Sequence, residues 1–183
     1  MAESLRIAVV VGSARKGSIN QTYAEALEKL AGEGMVFDYL PVGDLPLYKM
    51  DLAADVPTVL AAIKARIATA DGVLFVSPEH NRSVTALMKN TLDWCSRASG
   101  GNAWAGKRAA VCGASPGARG ADLSQMHFRQ IAVVLNLEIL PQPEVYVHVK
   151  DGLFTEAGDF SSERDAGFQK RFLDRFADWV AKA

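Results

Sequence analysis

An α/β fold, an open parallel sheet with helices on both faces, is the architecture that this sequence of 183 residues predicts. Three observations lead there. Short apolar blocks alternate with longer segments of helical period. The blocks are continuously apolar rather than alternating, as strands covered on both faces are. Loops rich in Gly, Ser, Pro and Asn mark each change of period. Parallel strands require crossovers, and crossovers are right-handed, so five βα units in a row wind into one sheet between two helical layers.

The elements follow in order. "LRIAVVV" (Leu5 to Val11) reads as a buried strand, and Ile19, Tyr23, Leu27 and Leu30 stripe a helix after it. Ser18 with Gln21 forms a capping-box pair that starts this helix. "MVFDYL" (Met35 to Leu40) is the second strand. Beyond Pro41, Gly43 and Pro46, Asp55 can cap a helix carrying Leu60, Ile63 and Ile67. The third strand is Gly72 to Ser77; Ser83 caps the next helix, striped by Val84, Leu87, Met88, Leu92 and Cys95. Lys107 to Gly113 is the fourth strand, followed by a helix whose stripe is Leu123, Met126, Gln130, Ile131 and Val134. A last strand lies in "LEILPQPEVYVH", where two prolines can divide it, and Phe168, Phe172, Phe176, Trp179 and Val180 stripe the terminal helix. No repeat or polar linker divides the chain, so residues 1–183 read as one domain.

Composition narrows the function. A net charge of −1 gives no basic field for nucleic acid and no acidic excess for a cationic protein, which favours a small partner. Cys95 and Cys112 lack metal-ligand spacing and read as reduced, buried thiols, with no metal site expected. The N-terminus lacks the features of a signal peptide and no apolar run has membrane length, so the expected location is cytoplasmic.

In open α/β sheets ligands bind beyond the carboxyl ends of the strands, where strand order reverses. That selects three loops. "GSARKGSIN" runs straight into a helix N-terminus, whose free amides carry partial positive charge. Ser13, Ser18 and Asn20 add neutral donors and Arg15 a planar charged one, a set suited to phosphate. Read alone, the loop fits a polar turn with a capping serine as well. Its residues exclude two common phosphate loops: Ala14 stands where GxGxxG needs glycine, and Lys16 precedes Gly17 where a P-loop needs GK before Ser or Thr. In "SPEHNRS", Pro78 begins a turn displaying Glu79, His80 and Asn81, suited to the edge of a planar heterocycle or to a plain connection. "CGASPGARG" fails as a phosphatase loop, because six residues after Cys112 stands Ala118 rather than Arg119. It reads as a glycine-rich wall of a cofactor site or as an empty turn.

Two of these stretches together resemble the NADPH-dependent FMN reductases, a family that includes quinone and chromate reductases and some azoreductases. The form GSxRxxSxN is matched by Gly12, Ser13, Arg15, Ser18 and Asn20. The form PEYNxSxxxxLKNxxDWxSR is matched by Pro78, Glu79, Asn81, Ser83, Lys89, Asn90, Asp93, Trp94, Ser96 and Arg97. His80 replaces the usual tyrosine, Met88 the usual leucine, and Arg82 is bulkier and more cationic than usual at a variable site.

The resemblance implies a flavodoxin-like three-layer sandwich with a five-stranded parallel sheet of order 2-1-3-4-5. It implies non-covalent FMN and hydride transfer from NADPH or NADH to the flavin, then to a quinone, azo compound, chromate or flavin acceptor. By the same analogy Ser13, Arg15, Ser18 and Asn20 hold the FMN phosphate, and Ile19 belongs to the cofactor site. Pro78, Glu79, His80 and Asn81 lie along the isoalloxazine, and Ser115, Pro116 and Gly117 border the site. It further implies a homodimer or homotetramer, with the "KNTLDWCSR" helix near the interface. Trp94 then serves either that contact or the core. No catalytic side chain is expected, since the flavin carries the redox chemistry. Arg82, Lys16 and Arg119 read either as contacts for the NADPH 2′-phosphate or, as such residues more often are, as plain solvated cations. An alternative on the same fold is a flavodoxin-type single-electron carrier, which the near-neutral charge disfavours. A flavin-free binding protein is the third.

Overall fold

The first apolar block becomes the middle of the sheet. In the computed structural model, which describes residues 4–51, 58–97 and 100–182, β1 (Leu5–Val11) pairs in parallel with β2 (Met35–Tyr39) on one side and β3 (Gly72–Val76) on the other. β4 (Arg108–Ser115) follows β3, and the order is β2-β1-β3-β4-β5, the expected 2-1-3-4-5. The fifth position is divided where the prolines stand. β5 (Glu138–Ile139) pairs with the start of β4 and β6 (Tyr146–His148) with its end. Pro141 and Pro143 fall in the gap, where a residue without an N–H costs no ladder bond.

Alternate β1 side chains feed two cores. Ala8 and Val10 join the core under α2 (Thr58–Thr69), α3 (Ala86–Arg97) and α4 (Asp122–Val134). Ile7, Val9 and Val11 join the one under α1 (Ile19–Ala31) and α5 (Glu163–Val180). This double coverage accounts for the unbroken apolar run of β1. Cys95 and Cys112 are buried in these cores, and burial pushes both thiols up to about 12, where they are unreactive.

The structure corrects several expectations. Ser18 caps α1, accepting from the Gln21 amide at 3.3 Å, but the box is not reciprocal: the Gln21 side chain turns to Glu25 instead. Thr85, not Ser83, caps α3, its hydroxyl accepting from the Met88 amide at 3.1 Å. Trp94 belongs to the core and donates its indole N–H to the Pro46 carbonyl. The stripe chosen for α4 lies largely on its outer side, although Ile131 still packs against the core. Met126 and Val134 are exposed there, while Ser124, Gln125, Phe128 and Ala132 face inward. Asp55 lies outside the described residues.

At Gly113 the chains meet too closely for any side chain: a Cβ would stand 2.2 Å from the Ser77 carbonyl oxygen. The close approach brings the end of β4 against the loop after β3. On β2, Asp38 accepts from Arg66 through two bonds and from Arg6 at 3.2 Å. Hydrogen bonding from Arg66, and then from Arg6, outweighs desolvation and holds the carboxyl below its ordinary value. A carboxylate lowered in the folded state stabilises above its unfolded pKa, and that stability is lost as pH falls through the folded one. Asp38→Asn should therefore lose about 1–2 kcal/mol at neutral pH. Below about pH 4 its urea midpoint should fall less steeply than the wild type's.

Candidate active site

The two loops at the reversal of strand order, after β1 and after β3, enclose a cavity of about 570 Å³. That volume suits a cofactor-sized ligand. Its walls take Ser13, Arg15, Ser18, Ile19 and Asn20 from the first loop, Pro78, Glu79 and His80 from the second, and Ser115 and Pro116 from the third. Ten of the twelve expected residues therefore meet at one site. Asn81 and Gly117 are not on its wall. Asn81 sits in the middle of a tight turn, and the Gly117 amide donates to the Ser115 hydroxyl at the outer side.

The first loop is built to present donors. Gly12 donates its amide to Val76 at 2.9 Å, and its carbonyl accepts from the Thr85 hydroxyl at 2.7 Å. The same hydroxyl caps α3, so one buried threonine joins the first loop to the second. Gly12 has little room for a side chain, with Met88, Pro78 and Thr85 atoms 3.1–3.2 Å from where a Cβ would be. The Ile19 and Asn20 amides open α1 and precede its first internal bond. Arg15 is exposed and has no hydrogen bond or ion pair among the described residues.

Asn20 is placed differently from its expected role. It is buried, and its carboxamide accepts from the Ala114 amide at 2.9 Å and donates to the Ala114 carbonyl at 2.8 Å. The side chain thus fixes the start of α1 against the end of β4. Sequence reasoning also missed Thr85, Ala86, Leu87 and Ala114 on the wall. The buried hydroxyl before an apolar helical stripe was a signal for Thr85; nothing local marked the others.

In the second loop the four residues His80 to Ser83 close a narrow turn. His80 and Ser83 exchange both backbone bonds at 3.0 Å, with positive φ at Asn81 and Arg82. The loop is moored to α4. Glu79 accepts from the amides of Leu123 at 3.0 Å and Ser124 at 3.2 Å, capping a helix whose own cap residue, Ala121, has no side chain for the task. Ser124 donates to the Pro78 carbonyl at 2.8 Å, and the Ser83 hydroxyl lies 2.9 Å from His127 Nδ1. His80 itself is exposed at the cavity mouth. No nucleophile-base pair occurs on this wall: its serines bond to backbone or face the cavity singly.

Comparison with known proteins shows the family. The family model described as NADPH-dependent FMN reductase matches residues 5–152. A 2-hydroxy-1,4-benzoquinone reductase of a Burkholderia species is 42% identical over 177 residues, covering 97% of each chain. The solved structure of FerB, a flavoenzyme NAD(P)H:(acceptor) oxidoreductase of Paracoccus denitrificans, superposes with a TM-score of 0.93 at 39% identity, covering 97% of this chain and 98% of that one. A flavodoxin, WrbA-like protein of Agrobacterium tumefaciens shares the fold, with a TM-score of 0.62 at 16% identity over 98% of this chain and 99% of that one.

The mooring of the second loop is open to test. Glu79→Ala leaves the Ser124 amide without its carboxylate, while Leu123 keeps Asp122 at 2.8 Å, and should cost about 1 kcal/mol in urea unfolding.

Proposed function

Since this chain belongs to the NADPH-dependent FMN reductase family, we propose that the cavity between the β1 and β3 loops holds its FMN and that its acceptor is a quinone. The enzyme is an oxidoreductase with NAD(P)H as reductant. Bound FMN supplies the redox chemistry, so that NAD(P)H, a quinone and a proton become NAD(P)⁺ and a hydroquinone.

The observation that carries the assignment is the donor set of the first loop. Arg15, its guanidinium unpaired among the described residues, and the residues bearing the Ser13 and Ser18 hydroxyls and the opening amides of α1 all line the cavity. A phosphate monoester has the acceptors to use them all, and the helix dipole favours its charge. Ser18 still has its hydroxyl proton to give, because its oxygen serves the cap only as acceptor. Asn20 contributes by holding α1 in place rather than as a phosphate ligand, since Ala114 engages both its oxygen and its nitrogen. Along the other wall, Pro78, Glu79 and His80 stand beside the ring system, with Ser115 and Pro116 across from them. Asn81 shapes the turn and Gly117 orients Ser115.

No side chain is required as a general acid or base. Glu79 is committed to α4, and exposed His80 lies open to water, which can supply the proton of hydroquinone formation. Azo compounds, chromate and free flavin remain further acceptors under the same chemistry. Among the described residues no helix is long and apolar enough to cross a membrane.

A homo-oligomer is part of the proposal. Val133 and Val134 on α4 are 81% and 80% exposed, and a groove of about 300 Å³ between α3 and α4 is lined by Ile131 and Val134 beside Lys89, Asp93 and Arg97. An apolar strip flanked by both charge signs suits a second copy of the same surface. Val133→Glu with Val134→Glu should shift the protein to monomer in sedimentation; an unchanged mass removes α4 from the interface.

The site assignment is tested by cofactor affinity. Arg15→Ala should weaken FMN binding about ten- to a hundredfold, read by flavin fluorescence, while the thermal midpoint of the FMN-free protein stays unchanged. Unaltered affinity refutes it. Oxidation of NADPH and NADH against quinones, an azo dye, chromate and free flavin then ranks the acceptors.

A further inference from the structure

We propose that Arg82 grips a phosphate of the nicotinamide dinucleotide, with the 2′-phosphate that separates NADPH from NADH as its expected partner. The inference rests on the reductase reading above and adds a specificity residue to it.

It begins with the backbone. The His80–Ser83 turn has φ of 51° at Asn81 and 65° at Arg82, and its end residues exchange both backbone bonds. Such a two-residue turn needs positive φ at both centres, and Asn-Gly is the sequence that meets this freely. Asn81 fits the first position. The second holds an arginine, whose Cβ crowds the following carbonyl in the left-handed region. Glycine would serve the turn better, so the strain points to a use for the side chain.

The side chain is also uncommitted. It is 66% exposed, and its ion pair with Glu79 is 3.6 Å long, beyond hydrogen-bond distance. Glu79 meanwhile accepts from two α4 amides with its other oxygen. The guanidinium therefore keeps its full fork of donors, beside a residue that lines the cavity. Its base is fixed: the turn is moored to α4 through Glu79 and through Ser83 with His127, so little ordering is needed to aim it.

The other two candidate cations are less suited. Arg119 already donates to both oxygens of Asp122, at 3.0 and 2.6 Å, and a phosphate would have to displace them. Lys16 stands beside Arg15 on the loop assigned to the flavin's phosphate. Arg82 is on the opposite loop, two residues beyond His80 and 3.6 Å from Glu79, both of which line the cavity.

Arg82→Gly is the informative variant, because glycine relaxes the turn while removing the charge. Its thermal midpoint should equal or exceed the wild type's, so that lost binding cannot be laid to misfolding. The KM for NADPH should rise about ten- to a hundredfold, with the change in KM rather than kcat, and the KM for NADH should move little. Arg82→Lys, which keeps the charge without the fork, should fall between. In calorimetry, affinity for 2′,5′-ADP should drop by the same factor while that for 5′-AMP stays. Equal losses for NADPH and NADH would support the phosphate contact but move it to the pyrophosphate. Unchanged KM for both, with unchanged 2′,5′-ADP binding, overturns the inference. A wild-type enzyme that oxidises neither dinucleotide would instead overturn the reductase reading, and the 2′,5′-ADP titration still decides Arg82.

Discussion

The Asn20 carboxamide gives one hydrogen bond to the Ala114 backbone and takes another from it, deep enough to exclude water. Those two bonds set where α1 begins relative to the carboxyl end of β4. Everything proposed for the cavity depends on that spacing. The opening amides of α1 form one wall, Ala114 to Pro116 another, and no strand pairing connects them directly, since β1 and β4 are separated by β3. Losing the side chain would strand a buried N–H and a buried C=O, at about 1–3 kcal/mol each. Gly113, immediately before, allows the approach because nothing but hydrogen fits under the Ser77 carbonyl.

The helix faces show what could be read in the sequence and what could not. β1, the helices that follow β1 and β3, and the terminal helix were legible, because their apolar residues fall on one face and in a long enough run. α4 was not. Its inward face includes Ser124 and Gln125, which donate a hydroxyl and an amide N–H to the carbonyls of Pro78 and Val145, while its apolar Met126, Val133 and Val134 point to solvent. Periodicity finds an apolar stripe but does not say what covers it, and a polar residue with a buried partner looks exposed in one dimension.

The three loops chosen from the sequence line one cavity, but what each of their residues does there was less legible. Ser13, Arg15 and Ser18 are local to a helix start, and their geometry follows from the chain itself. Asn20, Glu79 and Thr85 are not local. Each spends polar atoms on backbone 44 to 94 residues away, at Ala114, Leu123 and Gly12. A motif records that such residues are present without saying whether they touch the ligand or hold the wall that does. Ser83 shows the same limit: two hydroxyls stand two residues apart, and only the width of the His80 turn decides that the second caps α3.

The divided last strand has a consequence for how the protein keeps its own company. β5 has two residues and β6 three, with prolines between, so this margin of the sheet offers no continuous row of free amides and carbonyls. A stray strand, from another copy or from a misfolded neighbour, finds too short a template to add itself there. The margin is thereby closed to fibril-like growth, and assembly on this side must proceed through side chains on helices, where mutation can tune it without touching the ladder.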